Sequence, residues 1–295
     1  MRGPLGPLKG VLLSPEGVVK PPVVLILPGS GAVDRDGNNG AGIRAATYRL
    51  LAEALAERGV AAARVDKRGL YSSRAAIADP NAVTIDAYAA DAQGWARVLK
   101  ARTGAPCVWL VGHSEGALVA LKAAQTPKDI CGVVSLAGPG RNMGDVLRDQ
   151  IKSAPGGFLL VPPAGIAIET LKAGKTFSPL LLPLPLQFMF RSDVQGFLIN
   201  ELTYDPPDLV KRYAGPLLIM QGTNDIAIGL EDAEGLAGAR PGLKFLKLEG
   251  VNHVLKVSPA ARTANIASYA DPSLPLAPGV AEAIAAFVKT APAAP

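Results

Sequence analysis

Apolar residues in this chain recur in two rhythms that alternate along its length. Short, β-branched runs at Leu8 to Leu13, Val23 to Leu27, Val60 to Val65, Val108 to Val111, Cys131 to Ala137, Pro216 to Gln221 and Lys244 to Leu248 read as buried strands. Between them lie segments of helical spacing: Thr47 to Glu57, Thr84 to Arg102, Ala117 to Ala124, Leu230 to Leu236 and a closing amphipathic helix over Pro278 to Lys289. On the long segment, Ile85, Tyr88, Ala89, Ala92, Trp95, Ala96 and Leu99 share one face. Strands and helices in alternation imply right-handed crossovers and a mostly parallel sheet, with the site at the strands' C-terminal ends.

The rhythm stops between residues 141 and 213. Helical pieces at Asp145 to Ser153 and Ala167 to Lys175 are interrupted by Pro162-Pro163 and by a Pro- and Leu-rich stretch, and a charged segment, Arg191 to Asp208, follows. This reads as a helical cap inserted into an α/β core made of residues 1–140 and 214–295. It is rich in apolar side chains, among them Phe158, Leu159, Leu160, Phe177, Leu180 to Leu182, Leu184, Leu186, Phe188, Met189 and Phe190. Most of these should form its own contacts with the sheet, but so small a subdomain cannot hide them all, so a few should line the cleft above Ser114. Ala291 to Pro295 reads as a loose tail.

Composition narrows the classes. At 295 residues with 49% apolar side chains the chain is globular. The 30 basic residues against 25 acidic ones are scattered, with no aromatic-interleaved basic tract, so nucleic acid is not an expected partner. No uninterrupted apolar run reaches membrane-span length. No leader is visible at the start, which makes the cytoplasm the expected location. Two histidines and two cysteines are too few for a multi-ligand metal centre, so neither metal nor other cofactor is expected. Direct bridges between paired strands are geometrically awkward, so Cys107 and Cys131 are expected to be free, buried thiols.

The chemistry converges on Gly112-His113-Ser114-Glu115-Gly116, set between a strand and a helix. In that context G-x-S-x-G is a nucleophile elbow, which lifts the Ser114 hydroxyl above the sheet edge. A serine hydroxyl needs a base, and the base an orienting acid. His113 should project away from the hydroxyl, into packing or solvent, and be structural. His253 and Asp225 each follow a strand, and the order Ser114, Asp225, His253 is that of an α/β-hydrolase triad. After the second strand, Pro28-Gly29-Ser30-Gly31 fails as a dinucleotide fingerprint, because Asp34 occupies the third glycine position. It fits instead a loop whose backbone N–H groups meet a developing oxyanion.

With these motifs the chain resembles the α/β-hydrolases, and within them the serine-aminopeptidase-like and bacterial carboxylesterase branch. The likeness rests on Gly112 to Gly116, Gly29 to Gly31, Asp34 to Gly37, Asp66 to Gly69, Gly222 to Asp225 and Gly250 to His253. It departs from many relatives in having Pro28-Gly29 where they carry His-Gly. The resemblance implies that Ser114 attacks a carbonyl, His253 moves the proton and Asp225 orients the imidazole, with the N–H groups of Ser30 and Glu115 as oxyanion hole. Gly29, Gly31, Arg35 and Arg68 would support the site; the Glu115 carboxylate, costly near an oxyanion unless paired, has Arg35 or Arg68 as candidate partners, the alternative being a solvated surface group. The implied substrate is a small-molecule ester, and the apolar side chains of 141–213 point to a short-to-medium acyl length. A thioester or small peptide is the alternative on the same triad, the intact triad argues against a noncatalytic ligand receptor, and the pattern leaves the oligomeric state open.

Overall fold

In a computed structural model, residues 1–292 are described. Residues 293–295, part of the expected tail, lie outside the described residues. Seven strands form one sheet in the order β1-β3-β2-β4-β5-β6-β7. They are β1 (Gly10–Leu13), β2 (Val23–Leu27), β3 (Ala61–Val65), β4 (Val108–His113), β5 (Ile130–Leu136), β6 (Leu217–Gly222) and β7 (Lys244–Leu248). Only β1 runs antiparallel to its neighbour, pairing Gly10 with Val65; the other pairs are parallel.

The continuous apolar character of β2 has a direct cause. Every residue of it is buried, because helices cover both faces of the sheet. Val23, Leu25 and Leu27 pack toward α2 (Ile85–Thr103) and α3 (Glu115–Ala123), while Val24 and Ile26 pack toward α1 (Thr47–Glu57) and α11 (Val280–Thr290). The strand's period of two thus feeds two separate cores.

Between β5 and β6 come α4 (Met143–Ser153), α5 (Val161–Lys172), α6 (Leu184–Met189), α7 (Gln195–Glu201) and α8 (Pro206–Arg212). Helices α4 to α7 build a third apolar cluster around Met143, Ile168, Leu171, Leu186 and Phe190. Leu209 and Val210 of α8 instead join the α2/α3 side of the main core. The prolines that look like interruptions in the sequence stand at helix starts: Pro162 and Pro163 in the first turn of α5, Pro185 in that of α6, Pro206 and Pro207 in that of α8. First-turn N–H groups have no intrahelical acceptor, so proline costs nothing there. After β6 follow α9 (Leu230–Gly238) and, beyond β7, α10 (Arg262–Ala267).

The expectation of free thiols is wrong. Cys107 and Cys131 form a disulfide, with Cα atoms 5.2 Å apart. The reason is a bulge between β4 and β5: Val108 pairs with Ile130 and Trp109 with Gly132, leaving Cys131 as the unpaired extra residue. Cys107 lies just before β4, outside the ladder, so regular strand geometry does not apply to either cysteine.

Candidate active site

The turn from β4 to α3 has the strain expected of an elbow, but at the serine. Ser114 has φ 54° and ψ −126°, a conformation that L residues rarely adopt, while Gly112 and Gly116 have ordinary φ. The glycines serve a different need, close approach. A Cβ on Gly112 would lie 2.1 Å from the Gly116 carbonyl oxygen, and one on Gly116 would lie 2.2 Å from that of Leu27.

Asp225 and His253 come together from the ends of β6 and β7. His253 Nδ1 donates to Asp225 Oδ2 at 2.8 Å. Gln221 Nε2 donates to the same oxygen at 3.0 Å, and the N–H groups of Ala227 and Ile228 reach Oδ1 at 2.8 and 2.9 Å. Burial alone would raise the Asp225 carboxyl, but the adjacent His253 and these N–H donors overcome it and hold it below the usual carboxylate value. His253 sits in a loop closed by the Val251–Val257 bridge and by the Asn252 side chain on the Lys256 N–H at 3.0 Å. Among the described residues Ser114 Oγ makes no hydrogen bond to His253. Such contacts are commonly looser in a ligand-free site.

His113 is buried in the packing beneath this pair, its ring centroid 4.7 Å from that of His253. Its Nε2 lies 2.8 Å from the His253 carbonyl, which can only accept, so Nε2 carries the proton. Nδ1 therefore accepts from the Tyr48 hydroxyl at 2.9 Å, and that hydroxyl accepts from the Gly29 N–H at 2.9 Å. Burial, and then the neighbouring His253, push the His113 imidazole down to about 3. Burial pushes the Tyr48 phenol up to about 12. Both stay neutral, and a fixed chain of hydrogen bonds runs from the Gly29 loop to the backbone of His253.

Gly29 lies against the serine: a Cβ there would be 3.0 Å from Ser114 Cβ. The Ser30 N–H donates to nothing among the described residues, and the Glu115 N–H, first in α3, has no intrahelical acceptor. Neither expected donor thus has an acceptor among the described residues.

The expected partners of Glu115 are otherwise engaged. Arg35 pairs with Asp66 at 2.6 Å and Arg68 with Asp91 at 2.6 Å. The true partner is Lys67, whose Nζ lies 3.0 Å from Glu115 Oε1 and also donates to the Gly29 carbonyl at 2.7 Å. Burial opposes the ammonium, but the Glu115 carboxylate holds it above the usual lysine value. Lys67 and Arg68 follow β3 in a loop that turns at Arg68, where the Leu70 N–H meets the Lys67 carbonyl at 3.1 Å, so no strand period tells them apart in the sequence.

A cavity of about 580 Å³ opens beside these groups. Ser30, Gly31, Lys67, Arg68 and Glu115 line its sheet side; Phe188, Met189, Phe197 and Glu201 line its helical side. Of the apolar residues of 141–213, Phe188 and Met189 line this cavity, whose lining includes Glu115 but not Ser114; Leu186 and Phe190 are buried in the helical cluster, and Phe158, Leu159, Leu180, Leu181 and Leu184 are exposed, as is much of Phe188. Glu201 is only 3% exposed, and its Oε1 has no partner among the described residues. Burial and the nearby Glu115 push its carboxyl well above the usual range.

A parallel sheet with helices on both faces, an elbow serine and a hydrogen-bonded Asp-His pair at its C-terminal edge define a hydrolase architecture. The model of the alpha/beta hydrolase family matches residues 23–266, and the chain belongs to that family. Esterase EstD of Thermotoga maritima is 28% identical over 253 residues, which are 84% of this chain but 58% of EstD, so the chain spans little over half of that relative's length. Among solved structures, Est1E from Butyrivibrio proteoclasticus with ferulic acid bound superposes with a TM-score of 0.57 at 17% identity, covering 96% of this chain and 92% of that one. A proline iminopeptidase from Mycobacterium smegmatis does so with a TM-score of 0.58 at 13% identity, covering 97% and 96%. At such identities the structural likeness is one of fold.

Proposed function

We propose that the chain is a serine hydrolase that cleaves carboxylic esters of short-to-medium acyl length through an acyl-enzyme. The observation that carries this is the strained Ser114 on the same sheet edge as the His253–Asp225 hydrogen bond of 2.8 Å. Ser114 Oγ attacks the ester carbonyl as His253 takes its proton, and the imidazolium that forms is stabilised by Asp225. The oxyanion is met by the N–H groups of Ser30 and Glu115, the second strengthened by the dipole of α3. His253 returns the proton to the leaving alcohol, and water then repeats the sequence on the acyl-enzyme. The similarity to EstD supports an ester as substrate.

In this reading residues 141–213 act as a cap, and its Phe188 and Met189 meet the acyl chain. Glu201 supports a second reading, a small-peptide aminopeptidase, because an unpartnered buried carboxyl facing the cavity could hold a substrate amine. The thioesterase alternative finds less support. Arg141, Arg148 and Arg191, its candidate basic patch, are each paired with carboxylates.

A panel of aryl esters, acyl thioesters and aminoacyl amides, with a fluorophosphonate label read by mass spectrometry, tests the proposal. Adduct formation at Ser114 with esters as the best substrates is expected. A best rate on aminoacyl amides would favour the peptidase, and no adduct would remove the serine hydrolase altogether.

A further inference from the structure

Lys67 has no part in the proton transfers of the proposed triad, yet it is buried at the centre of the site. Its side chain is 7% exposed, and that of its partner Glu115 is 2% exposed. Burying such a pair is costly and adds little to stability by itself, so the contacts it makes are informative. Nζ donates to two acceptors, the Gly29 carbonyl at 2.7 Å and Glu115 Oε1 at 3.0 Å, and lies 5.2 Å from the centre of the Tyr88 ring.

Those two acceptors belong to the two halves of the proposed oxyanion hole. The Gly29 carbonyl and the Ser30 N–H are opposite ends of one peptide unit. In a planar trans peptide they point in opposite directions, so anchoring the oxygen fixes where the hydrogen aims. An ammonium on the oxygen also polarises the unit and makes its N–H a stronger donor. The second acceptor is the side chain of Glu115, whose own N–H is the other proposed donor. On the far side of Gly29, its N–H is held by Tyr48. The loop cannot rotate about Gly29 without breaking one of these contacts, although glycine would otherwise allow it.

We propose that Lys67 is a positioning residue for the oxyanion hole: paired with Glu115, it aims the Ser30 N–H through the Gly29 carbonyl and holds the two donors at a fixed separation. The inference rests on the serine hydrolase reading. It explains why a carboxylate can stand next to a developing oxyanion. The ammonium offsets its charge, and burial and the nearby Glu115 push the Glu201 carboxyl, which also faces the cluster, well above the usual range.

The test compares wild type, Lys67→Met and the double variant Lys67→Met/Glu115→Gln, which leaves no unpaired charge at either position if the single variant fails to fold. Thermal stability, kcat and KM on an aryl ester, and affinity for a trifluoromethyl ketone, whose Ser114 adduct is tetrahedral and anionic, are measured for each. Loss of aim at one donor predicts a fall in kcat on the order of 10²-fold, with KM within about three-fold, and a matching loss of ketone affinity, in both variants. An unchanged kcat, or a kcat that recovers together with thermal stability in the double variant, would overturn the positioning role. Fluorophosphonate labelling of wild-type Ser114 separates the two levels: if it fails, the serine hydrolase reading falls first.

Discussion

The two walls of the cleft are built by opposite rules. On the sheet side, Asp225 accepts four hydrogen bonds, His113 and Tyr48 are joined in a fixed chain, and Lys67 is shared between Gly29 and Glu115. On the helical side, Phe188 is 70% exposed, and Glu201 presents an oxygen with no partner among the described residues. Groups already satisfied by their neighbours do not rearrange as charge develops, which is what preorganised catalysis needs. Groups left unsatisfied are completed by whatever enters. In the proposed function, reaction therefore belongs to the first wall and selectivity to the second.

The largest effect should come from the sheet side. Ser114→Ala should lower kcat/KM on the order of 10⁴-fold or more, while the melting temperature changes little, because the lost hydroxyl is small. Activity retained in that variant would end the division of labour between the walls. His253→Ala should match it within an order of magnitude, because the two act as one unit.

Next in size is the covalent tie under the elbow. Replacing Cys107 and Cys131 with alanine should cost about 3 kcal/mol in urea unfolding, from the chain entropy of the closed loop. A loss below about 1 kcal/mol would show that the unfolded chain is already restricted there.

His113 sharpens the comparison through pH. Its folded value, about 3, lies below the reference value of 6.5, so between these two the unfolded chain binds a proton that the folded one does not. Stability should therefore fall as pH drops through that window, by up to about 1.4 kcal/mol per unit from this group. Melting temperatures of wild type and His113→Gln, compared between pH 7 and 4, should converge toward acid. Parallel curves would mean that other groups set the acid sensitivity.

The smallest effect belongs to the helical wall. Each buried methylene of an acyl chain contributes up to about 0.8 kcal/mol, so kcat/KM should climb from acetyl to butyryl or hexanoyl esters and then decline. Phe188→Ala should flatten the climb several-fold. A maximum at acetyl in the wild type would show that the exposed apolar residues of 141–213 do not serve the substrate.

Legibility in the sequence follows the same divide. The bounds of β2, β7 and helix α1 were readable to the residue: in β2 burial on both faces leaves a continuous apolar run, and in α1 one buried stripe leaves a helical period. The elbow, the aspartate and the histidine were readable because each ends a strand. What escaped depended on contacts remote in sequence. Proline looks the same whether it breaks a helix or starts one, so α6 to α8 were hidden. A single bulge at Cys131 turned an awkward pairing into a bridge. Lys67 and Arg68 are adjacent and both basic in the loop after β3, and which of them meets Glu115 depends on a remote partner, Asp91, that engages Arg68.

The disulfide has a mechanical consequence as well. Its two cysteines are 24 residues apart, and the ring they close contains β4, Ser114 and all of α3. Force applied at the chain ends passes across the sulfur bridge and bypasses everything inside. The oxidised protein, drawn out by its termini, should come up short of its full contour length by about 80 Å, and reduction should release that length. Under tension the nucleophile's turn is slack rope behind a knot.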